Sequence, residues 1–146
     1  MRRSARAGQA LIEAAVTLPI LIALFFGFLG AGVGAQGYVD LDTAVYLAAA
    51  SNVTAYAGDR PLADQYAADT FGHTVAHDTL LRVRAFGCSG NYGAGGTITC
   101  KGQAVLEFSK TPLSVAIPFD PVISSQATAT RSPYRSCPPT TQGACP

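Results

Sequence analysis

Between Glu13 and Asp40 the chain carries no formally charged side chain, an interval of 26 residues from Ala14 to Val39. At ~1.5 Å of rise per residue, a helix needs ~20 apolar residues to cross a bilayer, so this run is long enough. Ahead of it stand Arg2, Arg3 and Arg6 with no acid, a basic leader of the kind that stays cytoplasmic while the apolar segment enters the membrane. Glu13 sits at the lip of the run. Three fates fit these residues: a short leader cut off ahead of a retained span, a secretory signal peptide, or an uncleaved anchor. For the second, Val33-Gly34-Ala35 ahead of Gln36 is an acceptable small-residue cleavage site. Two features weigh against it. The uncharged run exceeds the ~7–15 residues of an h-region, and an acid is out of place in a basic n-region. All three fates send the C-terminal part out of the cytoplasm.

The remainder has room for one small exported domain. Ten Lys and Arg face nine Asp and Glu, and without residues 1–8 the balance becomes seven against nine. That leaves no electrostatic footprint for nucleic acid, which needs clustered basic residues. The four cysteines, Cys88, Cys100, Cys137 and Cys145, all lie beyond the span. An even count there favours disulfides, with Cys88–Cys100 and Cys137–Cys145 the local pairing among three possible ones. Each bridge would close a loop of about ten residues, worth ~2–3 kcal/mol.

Gly8-Gln9-Ala10-Leu11-Ile12-Glu13, with Leu18-Pro19 further on, resembles the leader of class III, type IV prepilin-like proteins, and in wording the TadE-like pseudopilins of tight-adherence (Tad, or Flp) pilus systems. The likeness covers about the first 30 residues, and Ala14 stands where that pattern often has an aromatic. In such proteins a membrane peptidase cuts after a Gly and an acid stands fifth in the mature chain. A cut between Gly8 and Gln9 makes Glu13 the fifth residue, one helical turn from a new cationic N-terminus. The resemblance implies a non-catalytic subunit without cofactors, held in the bacterial cytoplasmic membrane by a single pass or displayed in a filament. Its implied partners are a prepilin peptidase, other pilin or pseudopilin subunits and an assembly platform with its ATPase. The alternative is a secreted, disulfide-stapled binding module released after Ala35.

The implied organisation is a leader over 1–8, a membrane and stalk helix over 9–57 and an exported domain over 58–146. Pro19 removes a helical hydrogen bond and is expected to kink the span. Gly30 and Gly34 form a small-xxx-small pair, and Ala23, Gly27, Ala31 and Ala35 recur every fourth residue. Such faces let another helix approach closely, which makes Gly27, Gly30 and Gly34 candidates for assembly contacts beside Glu13. From Tyr38 to Tyr56 the spacing of Tyr38, Leu41, Val45, Ala49 and Val53 predicts an amphipathic continuation, ended by Gly58-Asp59-Arg60-Pro61. A second helix, about Leu62 to Ala76, would turn Tyr66, Ala67 and Phe71 inward.

Strand patterns follow. Leu81, Val83 and Ala85 alternate with Arg82 and Arg84. Gly87 to Gly96 reads as a hairpin connection. Thr97–Cys100 and Gln103–Ser109 form one interrupted strand or two short ones, with Ala104, Leu106 and Phe108 toward the helix and Glu107 near Arg82 or Arg84. After a Pro-punctuated crossing, Val122 to Thr130 alternates again, with Ile123, Ala127 and Ala129 on one side. From Arg131 a Pro-, Ser- and Thr-rich tail begins. The expected class is α+β, a long N-terminal helix laid on a small antiparallel sheet, as in pilin-like proteins.

Signals for catalysis are weak. His73 and His77 stand four apart near Asp69 and Asp78, but the HExxH acid is replaced by Thr74 and the chain has no third His. The Gly-rich segment 90–96 joins strand-like stretches instead of opening a helix, which makes it a turn and not a phosphate cradle. Asn52-Val53-Thr54 matches a glycosylation acceptor but falls within the expected stalk helix.

Overall fold

The computed structural model describes residues 2–55, 59–115 and 117–133; the pair Cys137 and Cys145 and the expected stalk residue Tyr56 lie outside them. Helix α1 runs Arg2–Thr54, through Pro19, and α2 runs Arg60–Val75. Strands β1 (Leu81–Gly90), β2 (Thr97–Leu106) and β3 (Val122–Thr130) make an antiparallel sheet in the order β1-β2-β3. The α+β class and the long helix laid on a small sheet are as the sequence indicated.

The outer part of α1 supplies the spine of the core. Leu41, Ala44, Val45, Ala48, Ala49 and Asn52 are buried, a continuous stripe at spacings of three and four. Tyr38, expected inward, is instead 48% exposed. Leu41, Val45 and Ala49 lie inward as read, but the stripe is centred further round the helix, through Gly37, Ala44, Ala48 and the polar Asn52. Helix α2 closes the side of the sheet with Ala63, Ala67, Phe71 and Val75, four residues apart, while Tyr66 faces out. Arg60 and Pro61 open α2 instead of ending α1: Asp59 caps it by accepting from the Leu62 N–H at 3.1 Å, and Pro suits a first turn that lacks backbone acceptors.

Strand β1 corrects a second expectation. Its register with β2 shifts between Val83 and Ala85, so the extra residue turns the alternation over. Leu81 faces the helices, but beyond the bulge Phe86 and Cys88 take that side while Ala85 is exposed. Phe86 then stacks on Phe71, with ring centroids 4.2 Å apart. Strand β2 is continuous and central, and Ile98, Cys100, Ala104 and Leu106 are buried under the helices, followed by Phe108 in a short 3-10 turn. Gly102 is required there, since a Cβ would collide with Val45 and Phe71. Cys88 and Cys100 are direct cross-strand partners and form a disulfide. The expected connection over 87–96 is shorter, since Gly87–Gly90 pair within β1; the hairpin turn lies beyond Gly90, with the Asn91 N–H donating to the Thr97 carbonyl at 3.0 Å.

Arg131, read from sequence as the first residue of a loose tail, is fully buried. Its guanidinium donates from Nη1 to the Ala55 carbonyl and from Nη2 to the Asn52 carbonyl, both at 2.9 Å. These carbonyls stand at the C-terminal end of α1, where a cation is favoured by the helix dipole, and that of Asn52 also accepts from the Ala55 N–H at 3.3 Å.

Candidate membrane and assembly helix

The first part of α1 does not pack on the domain. From Leu11 to Leu29 its large apolar side chains stand open, Leu11 at 72%, Phe25 at 61% and Phe28 at 77% exposed. Those positions cover about 28 Å of helix at ~1.5 Å per residue, close to the ~30 Å of a bilayer's hydrocarbon core. It is one helix long and apolar enough to cross a membrane, with the length and composition of a span or of a signal sequence. Gly8 and Gln9 lie in its opening turns, and Glu13 follows, its carbonyl accepting from the Thr17 hydroxyl at 2.8 Å.

The glycines divide into two sets by what meets them. Gly30 is buried because Ile117, from the connection between β2 and β3, sits where its Cβ would be. Gly37 meets Leu106 in the same way, and at Gly34 a Cβ would touch the Phe108 ring at 3.9 Å. The pair Gly30 and Gly34 is thus met by side chains of the same molecule. Around Gly27 nothing lies within 4 Å of a Cβ position, and Ala23, Ala31 and Ala35 are exposed with it. One small-residue face receives the domain. The other stays open.

The connection between β2 and β3 (residues 107–121) is what reaches down α1. Leu106, Phe108 and Ile117 meet the helix at Gly37, Gly34 and Gly30, a descent of about 10 Å along its axis. Two short 3-10 turns, Phe108–Lys110 and Pro112–Val115, build the descent. Asp120 fastens its return, accepting from both the backbone N–H and the hydroxyl of Ser109 at 2.8 Å. Those bonds hold the Asp120 carboxyl below the usual carboxylate range. Glu107 pairs with Arg82 at 3.8 Å, as its outward position on the sheet suggested, and also with Lys110.

At the opposite end a polar knot joins three elements. Asp64 accepts from Asn52 Nδ2 at 3.2 Å, from the Tyr92 hydroxyl at 2.6 Å and from Arg60 Nε at 3.4 Å. Burial, and then the Asp64 carboxylate, push the Tyr92 phenol above its ordinary pKa. Asn52, the residue of the glycosylation pattern, is therefore buried and engaged. His77 and Asp78 border a shallow groove with Gln36, Asp40 and Thr43, and no group of three or more His, Cys, Asp or Glu among the described residues is placed to hold a metal ion. Sequence reasoning missed Arg131, Asp64 and Tyr92. For Arg131 a signal existed: a lone cation directly after an alternating strand.

Comparison with family models, with curated proteins and with solved structures gives no match to this chain.

Proposed function

We propose that this chain is a membrane-inserted, pilin-like structural subunit, a TadE-like pseudopilin or minor pilin of a Tad-type pilus. A prepilin peptidase processes it between Gly8 and Gln9, and it packs with other subunits and the assembly platform through α1. The observation that carries the reading is the junction Gly8-Gln9-Ala10-Leu11-Ile12-Glu13 at the head of one unbroken helix. One part of that helix is an exposed apolar rod of bilayer length, and the other is the spine of the domain. A cut after Gly8 leaves in place the residues of α1 that the domain packs on, from Gly30 onward. A cut after Ala35 would strip Gly30, Val33 and Gly34 from beneath Ile117 and Phe108, which weighs against the secreted module.

Glu13 in this reading meets an N-terminal amine, its own or a neighbour's, because a carboxylate at the edge of lipid is costly unless it is paired. The open stripe of Ala23, Gly27, Ala31 and Ala35 is the face offered to another helix, where close packing drives association in lipid.

N-terminal sequencing of the protein from its native host, beside a Gly8→Leu variant, tests the proposal. The expected mature chain begins at Gln9, and Gly8→Leu keeps its leader. A start at Gln36, unaffected by Gly8→Leu, overturns the pilin reading in favour of a secreted protein, and a start at Met1 in the wild type leaves a plain anchor.

A further inference from the structure

The uncharged run from Ala14 to Val39 would measure about 39 Å as helix, longer than a ~30 Å hydrocarbon core. With Glu13 at one lip, ~20 residues bring the far boundary to about residue 33. The domain does not wait for that boundary. Ile117 is already against Gly30, about 26 Å of helix from Glu13, and Phe108 is against Gly34. The descending connection therefore reaches the level at which α1 leaves the bilayer.

Phe119 stands between Ile117 and Asp120, whose carboxylate ties it to Ser109, so its backbone is held near that same level. Its side chain is nonetheless 65% exposed, and Val122, at the start of β3, is 53% exposed. A large aromatic is thus left mostly open beside the mouth of the helix. Arg82, Arg84 and Lys110 are exposed at this end of the sheet, but Glu107, Asp120, Asp40 and Asp78 lie there too and Glu107 pairs with Arg82 and Lys110, so it is the open aromatic, not net charge, that marks this end.

We infer that the connection between β2 and β3 docks on the outer surface of the bilayer that α1 crosses, with Phe119 seated in the boundary between headgroups and acyl chains. This rests on α1 being a membrane span. The occupant is phospholipid: the level of the connection is that at which α1 leaves the bilayer, and apolar rings on interfacial segments bury ~5–10 Å into that boundary. The domain is thereby held down on the membrane by a second point besides the helix.

The chain contains no Trp, so Phe119→Trp and, separately, Phe25→Trp each introduce a single emitter. Phe119 is exposed, and its replacement leaves the core untouched. The full chain, reconstituted in vesicles of phosphatidylethanolamine and phosphatidylglycerol, is tested with lipids brominated at shallow or deep acyl positions and with aqueous iodide. The expected result is that shallow bromines quench the emission of the Phe119→Trp protein and iodide quenching is lost, while the Phe25→Trp protein responds to deep bromines. If the Phe25→Trp protein responds to deep bromines but the Phe119→Trp protein responds only to iodide, docking is overturned and the span stands. Protection of the Phe119→Trp protein from both quenchers overturns it in favour of a protein partner. Insensitivity of both variants to brominated lipid overturns the span, and the docking with it.

Discussion

The two halves of α1 share a backbone and almost nothing else. From Leu11 to Leu29 the helix is dominated by large apolar side chains, and they are open on nearly every side. From Gly30 to Asn52 its buried line is Gly, Ala, Leu, Val and one Asn, with few large groups. A helix apolar all round asks for an apolar medium, whereas one with a narrow stripe of small residues asks for a close neighbour. Hydrophobicity and burial therefore run in opposite directions along this element. Mean hydropathy alone would have placed the core in the wrong half.

If the outer half is the foundation of the domain, breaking its end should cost most. Arg131→Ala removes a buried hydrogen bond from each of the Asn52 and Ala55 carbonyls, the former keeping only the Ala55 N–H, and empties the volume of the side chain. A loss of about 3 kcal/mol is expected, with a fall in Tm on the order of 10 °C or more in a calorimetric scan. An unchanged melt would mean that the carbonyls at the end of α1 are satisfied by other means.

The glycines sharpen the contrast within one residue type. Gly30→Leu inserts a side chain where Ile117 sits, and should cost about 1–3 kcal/mol and loosen residues 107–121 in hydrogen exchange. Gly27→Leu meets nothing, so the domain should melt within about 0.5 kcal/mol of wild type. Its effect should appear instead as weaker crosslinking between subunits in membranes. Equal melts for both variants would erase the boundary drawn here between the halves.

The smallest effect concerns the clasp at the base. Because the Ser109 bonds lower the Asp120 pKa in the folded protein, the unfolded chain binds more protons as the pH falls. The contribution is complete above the ordinary carboxyl pKa of ~3.9 and disappears as the pH drops through the depressed value. Between about pH 5 and pH 2 the wild type should lose slightly more Tm than Asp120→Asn. Parallel pH profiles would show that the clasp has no part in stability.

The long uncharged run, the alternation of β2 with Ala104 and Leu106 inward and Phe108 buried just after it, and the Cys88–Cys100 bridge were legible because each is a local pattern in strong side chains. The line of burial on α1 was legible in part: Leu41, Val45 and Ala49 were read inward and are buried, but Tyr38 is not. Ala44, Ala48 and Asn52 carry little hydrophobic signal, and Asn52 is interior where Asp64 and Arg131 bond to it. The inversion of β1 was hidden because a bulge is a matter of register against β2, not of composition. Arg131 was read by its polar neighbours downstream, although what decides its place is the end of a helix 76 residues earlier in the chain.

From Ile20 to Thr54 the helix contains no proline, and the domain grips it over the last 25 positions of α1, from Gly30. There is thus no joint between the lipid-length segment and the sheet. Each residue advances a helix by ~100°, so turning the rod by one position would swing the whole domain through more than a quarter of a circle. If α1 spans a bilayer and packs on a neighbour as proposed, whatever fixes the azimuth of Gly27 also fixes which way the hairpin 91–96 points. Angular register set at one end is delivered, undiminished, at the other.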